Sequence, residues 1–326
     1  MPLPEKRIRV GVVGAAGGVG SATAFALVLA RAVSELVLID LREGPLASHV
    51  MDLEQLRGEL GPFEAHAGTV ADAAACDVLI VSASVAHRDG LSRMAYLEAN
   101  ARVLASVAAA LERAGTTPRT IVATNPVDPL CTWLHRRLEW PRERILGYTL
   151  NDSTRLRSSV ADALGVAPAA VEAFSLGEHG DHPVLLFDRI SVDGERVQLA
   201  PGQRADAERS VRTWYERWQW TRPGRTSTWM SARGLTRMAC VVAAGCDEIW
   251  PTSMLLAGEY SVEGVSLTVP VRFAPDPVVL EWPLAERERA AFAAGAEVVA
   301  QATAAVEAAT GIGASRARRL ERVGRR

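Results

Sequence analysis

The feature that most constrains the fold is a glycine-rich turn that joins a strand-like run to a helix-like run near the start of the chain. The run IRVGVVG is apolar and rich in valine, and the run after the turn, VGSATAFALVLARA, has the composition of a helix. Glycines at such a junction allow a tight turn and bring backbone N–H groups and the positive end of the helix dipole close to an anion. The turn contains Gly14, Gly17, Gly18, Val19 and Gly20. We predict that these residues bind the pyrophosphate of a dinucleotide, although a purely structural turn has the same local pattern.

The first 150 residues repeat this alternation of strand and helix. Three further strand-like runs, ELVLID, CDVLIVSA and TIVATN, are apolar on both faces, as expected for parallel strands covered by helices. A long helix-like stretch, MAYLEANARVLASVAAALERAG, separates the last two. The pattern predicts an α/β domain with a doubly wound (Rossmann) parallel sheet over residues 1–150.

The pattern changes after this first part of the chain. The run VLLFDRISVDGERVQL predicts a hairpin with an Asp-Gly turn at 193–194, strand-like SLTVPVRF follows later, and residues 203–247 and 284–310 have helical composition. We predict an α+β substrate domain over residues 151–310 that packs on the first domain. Residues 311–326 form a short basic tail, for which a solvated end is favoured over a contact with an anion or a partner.

Composition excludes several classes of function. Lys and Arg number 36 against 38 Asp and Glu, a net charge of −2, so a nucleic-acid partner is not expected. The apolar runs are interrupted well short of the ~18 residues of a membrane span, and the first residues lack the apolar segment of a secretion signal. The four cysteines lie in apolar contexts without C-x-x-C spacing, which indicates buried reduced thiols and a cytoplasmic location.

An acidic residue, Asp40, ends the run ELVLID, twenty residues after Gly20. A carboxylate at this position accepts hydrogen bonds from both ribose hydroxyls of a dinucleotide and repels a 2′-phosphate. We therefore expect NAD as the cofactor. Arg42 lies close by and keeps NADP as an alternative.

Three polar clusters in the middle of the chain carry the candidate chemistry. Asn125, in TNPVD, can bind a carboxamide or a small polar ligand, although Asn-Pro is also an ordinary turn signal. Asp152 and Arg155, in NDSTRLR, share one face of a helix, where a local ion pair is the simpler interpretation. His179, in GEHGDHP, lies in a glycine-flanked loop, and a carboxylate partner such as Asp152 would suit it to general acid/base catalysis. Nearby His182 raises the alternative of a metal site, which the lack of a further close His or Cys disfavours.

Taken in order, these motifs resemble the lactate/malate dehydrogenase family, in particular its lactate-dehydrogenase-like malate dehydrogenase branch. The resemblance extends from about residue 7 to residue 307 and includes GAAGGVG, VLID, a loop that ends in GLSR, NPVD, DSTRLR, GEHGD and GEYSVEGVSLTVPV. It implies a Rossmann domain followed by a substrate domain, NAD as cofactor, a small 2-hydroxy/2-keto acid as substrate, no metal, and a homodimer or homotetramer.

The resemblance also implies catalytic roles. His179 would exchange a proton with the substrate oxygen, and Asp152 would orient its ring. Arg155 would bind the substrate carboxylate with a planar, two-point fork. Arg93 would polarise the reacting carbonyl, and the loop 84–92 before it would close over the substrate.

Further contacts follow from the same resemblance. Asn125 would bridge substrate and nicotinamide, Asn100 would contact the cofactor, and Ser227 would lie against the substrate tail. Trp214 and Trp218 are four residues apart on one helical face, which predicts packing over the substrate site or against another subunit in preference to a ligand cage.

Several positions depart from the family pattern. Ser84 replaces the usual Gly near the expected pyrophosphate, and Asn151 precedes Asp152 where Leu is usual. His87 stands where malate dehydrogenases have Arg and lactate dehydrogenases have Gln, so it is the candidate that selects the substrate tail, with Arg88 as the alternative. Malate/oxaloacetate is the first choice of substrate, another 2-keto acid with a polar or anionic tail, such as a phosphonate, is the second, and lactate/pyruvate is the last.

Two other classes of function stay open on the sequence. An NAD-dependent glycosidase on a related fold needs a divalent metal held by Cys and His, for which Cys131 and His179 are the only suggestive pair. A non-catalytic NAD-binding protein would bind the cofactor without turning over any 2-keto acid.

Overall fold

The structure is a computed structural model that describes residues 7–85, 93–274 and 276–310, with the backbone alone for residues 93–95. The first part of the chain alternates strands and helices, as the sequence predicts. Its strands are β1 (Ile8–Val13), β2 (Val33–Ile39), β3 (Glu64–Ala67), β4 (Val78–Val81), β5 (Arg119–Val122) and β6 (Ile145–Tyr148). Its helices are α1 (Gly18–Leu29), α2 (Glu43–Gln55), α3 (Arg57–Leu60), α4 (Val70–Ala73), α5 (Arg93–Ala114) and α6 (Val127–Leu138).

These six strands form a parallel sheet in the order β3-β2-β1-β4-β5-β6, the order of a doubly wound domain. The central strands β1, β4, β5 and β6 are buried at nearly every position because most of their residues are apolar. Val10 and Val12 of β1 point into one core together with α1, whereas Val13 points into a second core together with α5 and α6. The predicted fold class is confirmed.

The register of the sheet brings the carboxyl ends of its central strands to one edge. Val13 of β1 pairs with Val81 of β4, which pairs in turn with Val122 of β5. The chain order reverses between β1 and β4, and ligands of open α/β sheets bind at such a point, beyond the carboxyl ends of the strands. The predicted glycine turn, Asp40 and Asn125 all lie at this edge.

The second part of the chain adds to the same sheet. Its elements begin with α7 (Leu150–Leu164), β7 (Val171–Glu172), β8 (Ser175–Gly177), β9 (Pro183–Leu185), β10 (Ser191–Val192), β11 (Glu195–Arg196) and α8 (Pro201–Arg212). They continue with α9 (Trp214–Trp220), α10 (Trp229–Ala244), β12 (Ile249–Ala257), β13 (Glu263–Arg272), β14 (Val278–Val279) and α11 (Glu286–Thr310). β12 pairs antiparallel with β6, and the order then runs through β13 and β8 to β9. The sheet therefore continues past position 150 without a break in its hydrogen bonding.

Several predictions about this second part can be compared with the structure. The Asp-Gly turn at 193–194 joins β10 to β11, with positive φ angles of 49° and 83° at its two residues, so the hairpin is confirmed at its turn. SLTVPVRF lies mostly within β13, and residues 284–310 contain α11. The helical composition of residues 203–247 corresponds to three helices, α8, α9 and α10, and the helical backbone is interrupted between α9 and α10, where Pro223 and Gly224 lie.

Three further observations concern the chain as a whole. All four cysteines are free thiols, and three of them are buried, as predicted. Across the residues the structure describes, none of the helices is both long and apolar enough to span a membrane. The predicted basic tail, 311–326, lies outside the described residues.

Candidate active site

A cavity opens at the carboxyl ends of β1, β4 and β5, and it contains about 1140 Å³ of space including its mouth. Val19 of α1, Asn125 and His179 line it from the side of the sheet. Arg155 of α7 and the aromatic residues of α9 also line it. Six of the predicted site residues thus line one space: Val19, Asn100, Asn125, Arg155, His179 and Ser227.

The glycine turn has a backbone that only glycine fits. Gly14 has a φ angle of 89°, and a Cβ atom there would lie 2.6 Å from the backbone nitrogen of Ala83. A Cβ atom at Gly20 would lie 2.1 Å from the Gly14 carbonyl oxygen. α1 begins at Gly18, so its first N–H groups point toward the turn, where a pyrophosphate would meet them. This close packing without side chains fits a bound dinucleotide.

Asp40 lies directly beyond β2 and is held by the turn itself. Its Oδ2 accepts a hydrogen bond from the Ala16 N–H at 3.0 Å, and its Oδ1 accepts one from the Arg42 N–H at 3.0 Å. Burial by itself would raise the pKa of Asp40, but the hydrogen bonds from Arg42 and Ala16 outweigh it and lower the pKa. Asp40 is therefore ionised at neutral pH and suited to accept hydrogen bonds from a ribose. The Arg42 guanidinium pairs with this carboxylate, Nε to Oδ1 at 3.2 Å.

A histidine, a carboxylate and a guanidinium meet on the α7 side of the cavity. The His179 Nδ1 atom lies 2.5 Å from Asp152 Oδ2, and the Arg155 Nη1 atom lies 2.8 Å from Asp152 Oδ1. α7 places Asp152 and Arg155 one helical turn apart, and the positive φ angle of 81° at Gly177 turns the chain after β8 so that His179 reaches them. The contact with Nδ1 leaves the other ring nitrogen, Nε2, as the site for proton exchange with a ligand.

A second carboxylate, Asp128 of α6, holds the backbone of His179. Its Oδ2 accepts a hydrogen bond from the His179 N–H at 2.5 Å, and its Oδ1 accepts one from the Ser253 hydroxyl of β12. Asp128 is 1% exposed, and burial raises its pKa to about 7 against the opposing effects of His179 and Ser253. No role is predicted for Asp128 from the sequence. The one indication of it in the sequence is that Asp128 is a single carboxylate among the otherwise apolar first residues of α6.

The two predicted asparagines have different environments. Asn125 is exposed and lines the cavity beside Thr124. Asn100 is 3% exposed, and its amide nitrogen donates to the Asn125 carbonyl oxygen at 2.7 Å while its amide oxygen accepts from the Val85 N–H at 2.9 Å. The Asn100 side chain therefore joins the chain segments that follow β4 and β5, and it also contributes to the cavity wall.

Aromatic side chains of α9 form the wall next to Arg155. The Arg155 Cζ atom lies 3.9 Å from the centroid of a Trp214 ring, and Trp214 stacks on Trp218 with ring centroids 5.3 Å apart and planes inclined by 13°. Tyr215 lines the cavity beside them. Packing over the substrate site and contact with another subunit were the two placements predicted for Trp214 and Trp218. The structure places both rings at the cavity wall.

The wall continues into a chain of hydrogen bonds from β6 to α10. The Tyr148 hydroxyl donates to Asn151 Oδ1 at 2.9 Å, and the Asn151 amide donates to the Ser231 hydroxyl at 2.9 Å. Ser231 donates in turn to the backbone carbonyl of Ser227 at 2.8 Å. Asn151, which departs from the family pattern, thus supports the segment that carries Ser227 at the cavity wall.

The part of the loop 84–92 that carries His87 and Arg88 lies outside the described residues, and of Arg93 only the backbone, at the start of α5, is described. Ser84, the first residue of the loop 84–92, is described and lines the cavity. The alternative of a metal site depended on His179 and His182. In the structure, His179 contacts Asp152, whereas the His182 Nδ1 atom lies 3.2 Å from Glu178 Oε2. Within 7–85, 93–274 and 276–310, no three His, Cys, Asp or Glu side chains are grouped in a way that could hold a metal ion.

This chain is similar to known proteins in both sequence and fold. Residues 8–147 match a family model described as lactate/malate dehydrogenase, NAD binding domain. The chain is 32% identical to an L-lactate dehydrogenase of Thermus aquaticus over 92% of its own length and 99% of that protein. It is 31% identical to a malate dehydrogenase of Halobacterium salinarum over 86% and 93% of the two chains. The solved structure of the malate dehydrogenase from Aeropyrum pernix superposes with a TM-score of 0.84 at 26% identity, covering 91% of this chain and 97% of that one.

Proposed function

This chain belongs to the lactate/malate dehydrogenase family, and we propose that it interconverts a small 2-hydroxy acid and the corresponding 2-keto acid in the cavity described above. The chain is an NAD-dependent oxidoreductase of this family, and the proposal concerns its substrate and the residues that act on it. The observation that carries the proposal is the contact of His179 and Arg155 with one carboxylate, Asp152, on the wall of the cavity.

The proposed chemistry follows from these contacts. When bound, the reduced cofactor, NADH, would supply the hydride that reduces the keto acid, and the oxidised form, NAD+, would accept it from the hydroxy acid. His179 donates a proton from Nε2 to the substrate oxygen during reduction, and Asp152 stabilises the imidazolium that forms in the reverse direction. Arg155 binds the substrate carboxylate through two parallel N–H groups. Arg93 polarises the carbonyl as its oxygen becomes negative.

The remaining roles concern the cofactor and the substrate tail. The turn at Gly14, Gly17, Gly18, Val19 and Gly20 holds the pyrophosphate, and Asp40 holds a ribose. Asn125 bridges the substrate and the nicotinamide, Asn100 contacts the cofactor, and Ser227 lies against the substrate tail.

For the substrate itself, the family pattern still favours malate/oxaloacetate, followed by another 2-keto acid with a polar or anionic tail. Arg155 is the only Lys or Arg among the described residues of the cavity wall, and it accounts for one carboxylate. A second carboxylate would therefore depend on His87 or Arg88. The two relatives named above differ in their substrate, since one is a lactate dehydrogenase and the other a malate dehydrogenase.

The test is a panel of 2-keto acids assayed by NADH absorbance, with wild-type protein and a His179→Asn variant. The panel contains oxaloacetate, pyruvate, longer keto acids and a phosphonate analogue, each with NADH and with NADPH. We expect turnover of at least one acid and a fall in kcat of about 10²–10⁴-fold in H179N, with NADH binding retained. Wild-type turnover in H179N would rule out His179 as the acid/base.

The same panel separates the other classes of function. NADH binding without turnover of any acid would indicate a non-catalytic protein. Cleavage of a nitrophenyl glycoside, lost on chelation, would indicate the glycosidase, although its suggested ligand Cys131 is fully buried. We further propose a cytoplasmic homodimer or homotetramer that binds neither nucleic acid nor membrane, in keeping with the balanced charge of the chain.

A further inference from the structure

Two of the contacts of Arg155 differ in kind. Asp152 accepts a hydrogen bond from one corner of the guanidinium, at 2.8 Å from Nη1. Trp214 lies against the flat face, with the Arg155 Cζ atom 3.9 Å from a ring centroid. The two neighbours come from different elements, α7 and α9, so the position of Arg155 depends on how α9 packs over α7.

These two contacts restrict different motions. A single ion pair fixes one corner of a guanidinium and leaves the plane free to rotate about that corner. A ring face at van der Waals distance fixes the plane and also attracts the cation through the ring quadrupole. Two-point binding of a carboxylate requires the guanidinium and the carboxylate to be coplanar. The plane of Arg155 therefore decides how well a 2-keto acid can bind.

Trp214 is itself supported from behind. Trp218 stacks on it at 5.3 Å, and the Arg225 Cζ atom lies 5.3 Å from the Trp218 ring. The Trp218 indole N–H also donates to the Arg225 carbonyl oxygen at 3.4 Å. The series Arg155, Trp214, Trp218, Arg225 places a cation at each end of two stacked indoles. Because a guanidinium and an indole already lie against the Trp214 ring, it is poorly suited to act as an open stacking surface for a ligand.

We propose that Trp214 is a positioning residue, which sets the plane of the Arg155 guanidinium for two-point binding of the substrate carboxylate, with Trp218 as its support. This inference rests on the proposed function, in which Arg155 binds that carboxylate. It gives Trp214, and with it α9, a role in substrate affinity that is exerted through Arg155.

The experiment compares four variants with the wild type on the best substrate of the keto acid panel. Trp214→Leu removes the ring, Trp214→Phe keeps a smaller ring, and Trp218→Leu removes the support. Trp220→Leu is the matched control, because Trp220 belongs to the same helix and is 80% exposed. For each variant, KM and kcat for the keto acid, the Kd for NADH, the pH profile and the midpoint of thermal unfolding are measured.

In W214L we expect KM for the keto acid to rise about tenfold, equal to ~1.4 kcal/mol, with kcat at saturation, the pH profile and the NADH Kd close to wild type. W214F should restore part of the affinity, W218L should show a smaller rise in KM, and W220L should match the wild type. An unchanged KM in W214L overturns the inference while leaving the proposed function intact. So does a parallel loss of kcat and NADH affinity in W214L, because it indicates a general structural role.

Two remaining outcomes are also decisive. If W214L does not fold, equal KM values in W214F, W218L and wild type overturn the inference. If the wild type turns over no acid of the panel, the proposed function fails and the inference fails with it.

Discussion

At the level of single residues, His179 is held at two points by two different carboxylates. Asp152 contacts its ring, and Asp128 accepts a hydrogen bond from its backbone N–H. The contact with Asp152 orients the imidazole ring, whereas the hydrogen bond to Asp128 fixes the position of the loop that follows β8. The two functions are separable because Asp152 belongs to α7 and Asp128 to α6.

The buried Asp128 leads to a prediction about stability and pH. Its pKa is raised from 3.8 to about 7, so at a pH between these values the folded protein retains a proton that the unfolded chain has released. By linkage, the contribution of this group to stability is present below about pH 4 and is lost as the pH rises through 7. Asn does not titrate. We therefore expect the free energy of unfolding of Asp128→Asn, relative to wild type, to rise between about pH 5 and about pH 8.

Urea denaturation of both proteins at the two pH values measures this difference. Asp52→Asn, at an exposed position of α2, controls for the loss of a negative charge alone. A difference between D128N and wild type that is the same at both pH values would contradict the raised pKa of Asp128.

At the level of elements, the structure shows which parts of the fold follow from local sequence. β1, β2, β4 and β5 are predictable because short apolar runs between helices become buried parallel strands. β12 was not predicted, since IWPTSMLLA has Pro251 and the polar Thr252 and Ser253 at its centre. Those polar side chains are buried because of tertiary contacts, such as the hydrogen bond from Ser253 to Asp128.

The candidate site was predictable to a similar degree. Short motifs indicated Asp152, Arg155 and His179, and the structure brings them into contact. The approach of Asp128 to His179 spans 51 residues of chain, and no local pattern encodes it. The stacking of Trp214 on Arg155 likewise depends on how α9 packs on α7, which propensity and periodicity do not determine.

The packing of α10 against β6 gives a prediction at this scale. A Cβ atom at Gly234 would lie 2.0 Å from the Tyr148 hydroxyl oxygen, which donates to Asn151. Gly234→Ala should displace Tyr148 and lower the free energy of unfolding by about 1–3 kcal/mol. Gly202→Ala in α8, where nothing lies within 4 Å, should be neutral or stabilising by up to roughly 1 kcal/mol.

Chemical denaturation of the two variants provides the comparison, and far-UV circular dichroism verifies that each is folded. Equal stability of G234A and G202A would mean that α10 and β6 are less closely packed than described.

At the level of the whole molecule, apolar side chains remain exposed on neighbouring elements. Phe25 and Leu29 of α1 are 48% and 56% exposed, and Trp229, at the start of α10, is 73% exposed. α1 and α10 pack together, so these side chains belong to adjoining surfaces. Exposed apolar surface of this kind supports association between copies of the chain.

We expect sedimentation velocity to give a dimer or tetramer at micromolar concentration, and Leu29→Glu to shift the distribution toward monomer because the interface would bury its charge. A wild-type monomer over the whole accessible concentration range would contradict the proposed assembly. If L29E leaves the distribution unchanged, the contact lies elsewhere on the surface.

The pairing of β12 with β6 has a consequence for anyone who recombines this protein with a relative. A cut at residue 150 follows the order of the chain, but it strips β6 of its neighbour and leaves its outer backbone N–H and C=O groups unpaired. Residues 1–150 produced alone would therefore expose an unpaired strand edge, which promotes association with other chains. A chimaera that is to remain monodisperse should therefore take β12 and β13 from the same parent as the strands that precede them. The hydrogen bonds between β6 and β12 are then preserved.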